Sequence, residues 1–371
     1  MSILVLNAGS SGLKAAIFGE KDLNLLWKTS VAWGAAVASA FDQIFSELRK
    51  SRSAIADPVT AVGHRVVHGG VSFWESVNIS EQVKREILNV AELAPLHNRS
   101  ALAVITRAQV VYPAVPHVAM FDTAYYHGLP PRQYVYPVPY DWYDRWGVRR
   151  FGFHGISHQA CAERAGEIVN RNDLRVVSCH LGQGCSATAS RGGRAVSTTM
   201  GFTPLEGLMM GTRSGSIDPG ILIYLQNKMK VSLEALESAL NDDSGIKGVS
   251  GVSSSVQTVE AAAQSGNNRC RLALDMFADR VRSAIGSLAV TMGGIDALVF
   301  TGGVGENSAA IRAEVCRGLE CLGIELDTSR NAQAADGGVG RLGAGVNIVV
   351  IPAGEEHAIA GEVRRLCRRQ P

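Results

Sequence analysis

Apolar and polar positions along the chain follow two alternating rhythms. Short runs rich in β-branched residues occur at Ile3–Asn7, Ala61–Val67, His117–Phe121, Val176–His180, Ala297–Thr301 and Val346–Ile351, and they predict strands. Apolar residues at helical spacing mark Ala38–Arg49, Ala101–Val111, Gln159–Asn170, Arg269–Met292 and Ile311–Leu322. Glu356–Arg369 reads as a final helix, its arginines suited to the negative end of the helix dipole. Strands alternating with helices place the chain in the α/β class, or in a close mixture of parallel and antiparallel strands.

Two stretches repeat one pattern. Leu4–Phe18 and Val176–Ala189 each read as a strand, a small polar turn and a second strand. A hairpin of this kind once per half suggests a duplicated architecture, two similar domains facing a cleft; the alternative is that Gly-rich hairpins arise independently in many folds. No low-complexity linker divides the chain. The stretch Leu129–Tyr143 carries four prolines, which do not belong in a helix interior, and it is the best candidate for a crossing between domains.

Composition narrows the function classes. The chain has 371 residues, 46% hydrophobic and 19% charged, the balance of an ordinary globular protein large enough for two domains. A formal net charge of +2 gives no support for nucleic acid or an acidic membrane surface as the main partner. Apolar stretches are interrupted well short of the roughly 20 residues that span a bilayer, so no membrane segment is expected. Met1-Ser2-Ile3-Leu4-Val5 leads directly into a strand with no basic leader, and the seven cysteines lack metal-ligand spacing. A cytoplasmic location with reduced thiols is the simplest expectation.

Three Gly/Ser-rich segments, Asn7–Lys14, His180–Ser186 and Thr301–Ser308, present backbone N–H groups unobstructed by side chains, the kind of cradle that takes phosphate oxygens. The third follows an apolar strand and precedes the helix that begins near Ala309. None has the P-loop spacing or a convincing dinucleotide fingerprint, so a nucleotide site of another fold is implied. Arg65, in His64-Arg65-Val66-Val67-His68-Gly69-Gly70, and Arg213, in Met210-Gly211-Thr212-Arg213-Ser214-Gly215, are framed by glycines. Guanidinium forks match phosphate oxygens, although an isolated arginine is more often a solvated group or a salt-bridge partner. His154, in Phe151-Gly152-Phe153-His154-Gly155, also reads as a satisfied core histidine, and Asp122 also reads as a cap at a strand end. Glu355-Glu356 are either acids stabilised by a helix N-terminus or a carboxylate pair able to hold Mg²⁺, directly or through water.

As an ordered set these segments resemble the acetate kinase family of short-chain carboxylate kinases. The resemblance runs from Asn7 to Glu355. Its strongest pieces are His64–Gly70, Ala94-Pro95-Leu96-His97-Asn98, Phe121-Asp122-Thr123-Ala124, Gly152–His158, Gly201–Gly207 with Gly211-Thr212-Arg213, and Phe300–Ser308. It implies two similar actin-like, ribonuclease H-like domains with mixed sheets flanking an active-site cleft. The first would span residues 1–126 and be completed by a C-terminal helix over 357–371, and a nucleotide-binding and dimerisation domain would span 127–356. It implies reversible transfer of a phosphoryl group from ATP to acetate, giving ADP and acetyl phosphate, with Mg²⁺ or Mn²⁺ as cofactor and a homodimer as the assembly; the alternatives are a propionate or butyrate kinase, a family member that uses another phosphoryl donor, and a nucleotide-binding module without turnover.

By the same resemblance, Arg65 and Arg213 hold the transferring phosphoryl group, His154 hydrogen-bonds it and Asp122 positions the reacting carboxyl group. Asn7 and Glu355 sit near the metal and phosphates, and His97 lies at the edge of the site. Val67, Leu96, Phe153 and Pro204 form a small apolar pocket for the acid's tail. Lys14, His180, Gly182, Gly184, Gly302, Gly303, Gly305 and Asn307 take the nucleotide. A carboxylate nucleophile is already ionised at neutral pH, so the site needs no strong general base. Departures from the family pattern gather around the nucleotide: Gly12 stands for a serine, Gln183 for an asparagine, Cys185 for a serine, and Gly354 for an asparagine. Ser255-Val256-Gln257 replaces an Asp-Phe-Arg triplet that contacts ribose and adenine.

Overall fold

The structure is a computed structural model that describes residues 1–9, 12–33, 37–51, 58–334, 340–341 and 343–368. Fourteen strands are found among these: β1 (Ser2–Ala8), β2 (Gly12–Gly19), β3 (Leu25–Ala32), β4 (Val59–Val66), β5 (Val77–Asn78), β6 (His117–Phe121), β7 (Arg175–Leu181), β8 (Cys185–Arg191), β9 (Arg194–Thr198), β10 (Ala297–Thr301), β11 (Ile324–Leu326), β12 (Gly340–Arg341), β13 (Gly343–Gly345) and β14 (Asn347–Val350). The chain divides into two compact units. One comprises Met1–His127, Phe153–Ala160 and Gly354–Pro371, the other Gly128–Gly152 and Cys161–Ala353.

The two large sheets have the same topology. The first runs β3-β2-β1-β4-β6-β5 and the second β9-β8-β7-β10-β14-β12. In the first, β1, β2 and β3 form an antiparallel meander, β4 lies parallel to β1, β6 parallel to β4, and β5 antiparallel to β6. In the second, β7, β8 and β9 form the meander, β10 lies parallel to β7, β14 parallel to β10, and β12 antiparallel to β14. The paired hairpins seen in the sequence are therefore the start of a six-strand correspondence.

In the first unit, β1 is buried along its whole length, which explains its unbroken apolar run. Leu4 and Leu6 face a cluster with Phe41, Ile44, Phe45, Val104 and Ile105 from the helices Val37–Ser51 and Pro95–Val111. Ile3 and Val5 face Ile359, Ala360 and Val363 of the helix Glu355–Cys367. Burial of each such aliphatic side chain contributes about 1.5–3 kcal/mol before entropy, so the last helix is held by the first strand. In the second unit Val176, Ala297, Val299, Val349 and Ile351 pack with Cys161, Ala165 and Leu174 on one side of the sheet. The helix Asn268–Met292 contacts β7, β8 and β9 and buries Phe277, Val281 and Ile285.

The structure corrects one local reading and adds detail to two others. The predicted helix Ile311–Leu322 is divided: Ala309–Cys316 is α-helical, and a separate 3-10 turn follows at Glu320–Leu322, past the left-handed Gly318. Within the Gly-rich segment Thr301–Ser308, Gly302–Asn307 winds as a short helix. The proline-rich stretch contains the helices Pro131–Tyr134 and Tyr140–Trp146, with prolines only at their entrances, where a missing N–H costs nothing.

Three buried histidines lie on or beside β4 and β6. His117 Nε2–H donates to the Tyr112 carbonyl at 3.0 Å, so its Nδ1 accepts from His64 Nε2–H, also at 3.0 Å. His68 is fully buried and accepts from Gly70 N–H at Nδ1. Burial holds all three below the ordinary imidazole range, His64 well below, with His117 beside it adding to the effect, and His68 at about 4. These bases bind protons more readily in the unfolded chain. Their contribution is complete above about pH 6.5 and is lost as pH falls toward the folded values, by about 1.4 kcal/mol per pH unit for each histidine still neutral. Urea unfolding at pH 5 is expected to show a clearly lower midpoint than at pH 7.5; equal midpoints would contradict the assignment.

Candidate active site

The parallel order β1-β4-β6 places the C-terminal ends of these strands at one edge of the first sheet, where open α/β sheets carry their ligands. Asn7 lies near the end of β1, Arg65 near the end of β4, and Asp122 follows β6 directly. Glu355 and Glu356 open the last helix. These five residues converge. Arg65 Nη2 donates to Asp122 Oδ2 at 2.7 Å, and Arg65 Nε reaches both oxygens of the same carboxylate at 3.2 and 3.3 Å. Arg65 Nη1 donates to Asn7 Oδ1 at 3.2 Å and to Glu355 Oε2 at 3.3 Å. The Asn7 amide in turn donates to Glu355 Oε2 at 2.8 Å and to Glu356 Oε1 at 2.7 Å.

Burial opposes the charge on Arg65, but the carboxylates of Asp122 and Glu355 outweigh it and raise its pKa. Asp122 has no exposed surface; burial pushes its carboxyl up, against the pull of Arg65 and of the His154 backbone N–H. One guanidinium thus faces three carboxylates, an excess of negative charge made only of oxygen donors. Among the described residues no group of three or more His, Cys, Asp or Glu side chains forms a preset metal cage. The oxygen donors instead suit a hard divalent cation that keeps part of its water shell.

The turn Phe153–Gly155 wraps against Asp122. His154 has φ +56°, unusual for a residue with a side chain, and Gly155 N–H donates to the Asp122 carbonyl at 3.1 Å. A Cβ on Gly155 would lie 2.0 Å from that carbonyl oxygen, so no other residue fits. Val67 and Phe153 are buried, and the His68 and Phe153 rings meet edge-on at 5.4 Å. His97 is buried as well; the side chain of Leu96 falls outside the described residues. Lys14 pairs with Asn7 across the β1–β2 register, and its side chain is exposed. The turn serines Ser10 and Ser11 fall outside the described residues.

The second unit assembles another group at the matching edge of its own sheet. Thr301 pairs with His180 at the ends of β10 and β7. Gly182 and Gly184 close the β7–β8 turn through a 3.1 Å bond from N–H to carbonyl. Gly302 has φ +78°, and a Cβ there would lie 2.7 Å from the Leu181 carbonyl oxygen. Gly303, Gly305 and Asn307 continue the short helix, with the Asn307 amide turned back onto the Gly303 carbonyl at 2.8 Å. Gly211 N–H donates to the Gln183 carbonyl at 3.1 Å, which ties the Arg213 loop to the β7–β8 turn.

Arg213 contrasts with Arg65. Its Nη1 donates to the Pro204 carbonyl at 3.2 Å and approaches Met210 Sδ at 3.8 Å, and among the described residues no carboxylate pairs with it. Burial therefore lowers its pKa, partly offset by the charge of Asp242. A cation held by neutral acceptors is one that an anion would stabilise. The neighbouring Cys185 thiol is pushed up to about 12 by burial and is neutral.

Three contributors were missed by reading the sequence. Asn98 Oδ1 accepts His68 N–H at 3.0 Å while its amide donates to the His68 carbonyl at 2.9 Å, which fixes the strand exit after Arg65. Thr123 Oγ1 accepts Gly69 N–H at 3.0 Å. Trp33 Nε1 donates to the Gly9 carbonyl at 2.8 Å. Asn98 and Thr123 lay inside motifs already singled out; nothing local marks Trp33.

The model of the Acetokinase family matches residues 27–361. The chain belongs to the acetokinase family. Among its curated relatives, the acetate kinase of Gloeobacter violaceus is 42% identical over 100% of both chains. That of Treponema denticola is 46% identical over 84% of this chain and 79% of its own. In three dimensions the chain is similar to the acetate kinase of Porphyromonas gingivalis, with a TM-score of 0.89 at 34% identity over 99% of each chain. A propionate kinase from Francisella tularensis gives a TM-score of 0.89 at 34% identity, over 98% of this chain and 99% of that one. These structural relatives accord with the α/β, twofold-repeated fold of this acetokinase-family chain.

Asp122→Ala would leave the buried Arg65 guanidinium without its main acceptor, a loss expected to lower stability by about 3–5 kcal/mol. The double variant Arg65→Ala/Asp122→Ala should cost clearly less than the sum of the single changes in urea unfolding. Strict additivity would show that the pair is not coupled.

Proposed function

We propose that this chain is an acetate kinase, transferring the terminal phosphoryl group of ATP directly and reversibly to acetate to give acetyl phosphate and ADP. The observation that carries the reading is the engagement of Asp122: both its oxygens are held by Arg65, so it is not free to act as a strong base. That arrangement suits an acceptor that is already ionised, such as a carboxylic acid above its pKa. Asp122 positions the acid, Arg65 and Arg213 hold the phosphoryl group in flight, and His154 hydrogen-bonds it. His97 lies at the edge of the site. Val67, Leu96, Phe153 and Pro204 receive the short tail.

Asn7 and Glu355 hold the metal, with Glu356 beside them. Bound Mg²⁺ or Mn²⁺ supplies positive charge to the nucleotide phosphates. Lys14, His180, Gly182, Gly184, Gly302, Gly303, Gly305 and Asn307 contact the nucleotide. Support for this comes from the bond between Ser308 Oγ and Glu260 Oε1 at 2.7 Å. It joins the Gly302 turn to the helix Val256–Gln264, whose cap Ser255 stands in the segment of the altered triplet.

The first unit acts as the N-terminal actin-like domain, completed by the last helix, and the second as the nucleotide-binding and dimerisation domain. The exposed apolar side chains Ile221, Ile223, Tyr224 and Met229, on a helix with no buried residue, support a homodimer through the second unit. We place the chain in the cytoplasm, as its sequence leads one to expect; no described helix is long and apolar enough to cross a membrane.

Hydroxamate formation from acetate, propionate and butyrate, with Mg²⁺ and a panel of donors, tests the proposal. Acetate with ATP is expected to turn over, and Arg213→Ala to lower kcat about a hundredfold or more. Binding of ATP with no turnover on any acid would reject phosphoryl transfer.

A further inference from the structure

Glu306 has no part in the roles assigned above, yet it is placed to define the turn that contains it. Its Oε1 accepts two backbone N–H groups, that of Gly302 at 3.0 Å and that of Ala353 at 3.0 Å. The first bond closes the turn on its own first residue. The second fastens the turn to the chain just beyond β14, one residue before the left-handed Gly354. The opposite end is gripped by Arg312, which has no exposed surface. Arg312 Nη1 donates to the carbonyls of Gly305 at 2.9 Å and Glu306 at 2.8 Å, and Nε and Nη2 donate to Asn331 at 2.7 and 2.9 Å.

Such bracing is needed because a helix of six residues has almost no hydrogen bonding of its own: its first four N–H groups have no partner within it. Without external acceptors this segment would populate many conformations. A backbone surface that recognises phosphate works only if its dipoles are fixed beforehand.

We propose that Glu306 is a positioning residue for the nucleotide, and that the reach of its side chain, not its negative charge, is what the site requires. This rests on reading Gly302–Asn307 as a nucleotide-contacting turn. Both bonds end on one oxygen, so a glutamine amide oxygen can accept the same two donors. An aspartate keeps the charge but is one methylene short.

The experiment measures KM for ATP and for acetate, together with ADP binding by calorimetry, in wild type, Glu306→Gln and Glu306→Asp, after circular dichroism has shown each to be folded. Glu306→Gln should keep the ATP KM within about threefold, while Glu306→Asp raises it about tenfold or more and weakens ADP binding in step, with the acetate KM changed less than about twofold. The inference is overturned if the glutamine variant is the damaged one and the aspartate variant is sound, or if both behave as wild type. Failure of the wild type itself to bind ADP would instead remove the nucleotide reading of the turn, and the inference with it. If Glu306→Asp does not fold, a tenfold loss in Glu306→Gln alone still refutes the proposal.

Discussion

A guanidinium taken out of water must keep counter-charges beside it, and Arg65 imposes that condition on three separated segments of the first unit. Its partners come from the end of β1, the residue after β6 and the opening of the last helix. Each of those segments is also fixed by apolar packing, with Ile3 and Val5 of β1 lying against Ile359 and Val363. The core brings the strand ends to one edge, and the ion pairs then decide which side chains can stand there. Removing one partner would strand the others, which is why the group behaves as a unit.

The second unit repeats the strand order of the first but uses its matching edge differently. In place of paired carboxylates it carries glycine turns at the ends of β7 and β10, and an arginine held by neutral acceptors. One sheet edge stores charge in a satisfied network, and the other presents backbone dipoles and a cation lacking a carboxylate partner among the described residues. For an acetokinase-family chain, the proposed chemistry needs both: positioned charges around the metal and acid, and preorganised donors for a polyanion.

Much of this was legible one segment at a time. Strands such as His117–Phe121 and Ala297–Thr301 were read correctly because a buried strand needs a continuous apolar run, and the long helix ending at Met292 because its period is sustained. The helical turn within Thr301–Ser308 was not read from the sequence, since three glycines oppose helix locally, and it is braced by bonds to Glu306, Arg312 and the distant Ala353. The break after Cys316 was missed because the apolar spacing continues past it.

By itself the sequence determined the α/β class, the duplicated hairpins, and the short motifs that carry Arg65, Asp122, His154, Arg213 and Glu355, because those features are local or ordered along the chain. Only the tertiary structure decided that Asp122 is clamped by Arg65, that Arg213 has no such carboxylate, and that Glu306 binds Ala353 across 47 positions. Residue types are written locally, but hydrogen-bond partners and desolvation are set by neighbours far apart in the chain, and those two quantities fix what a charged side chain can do.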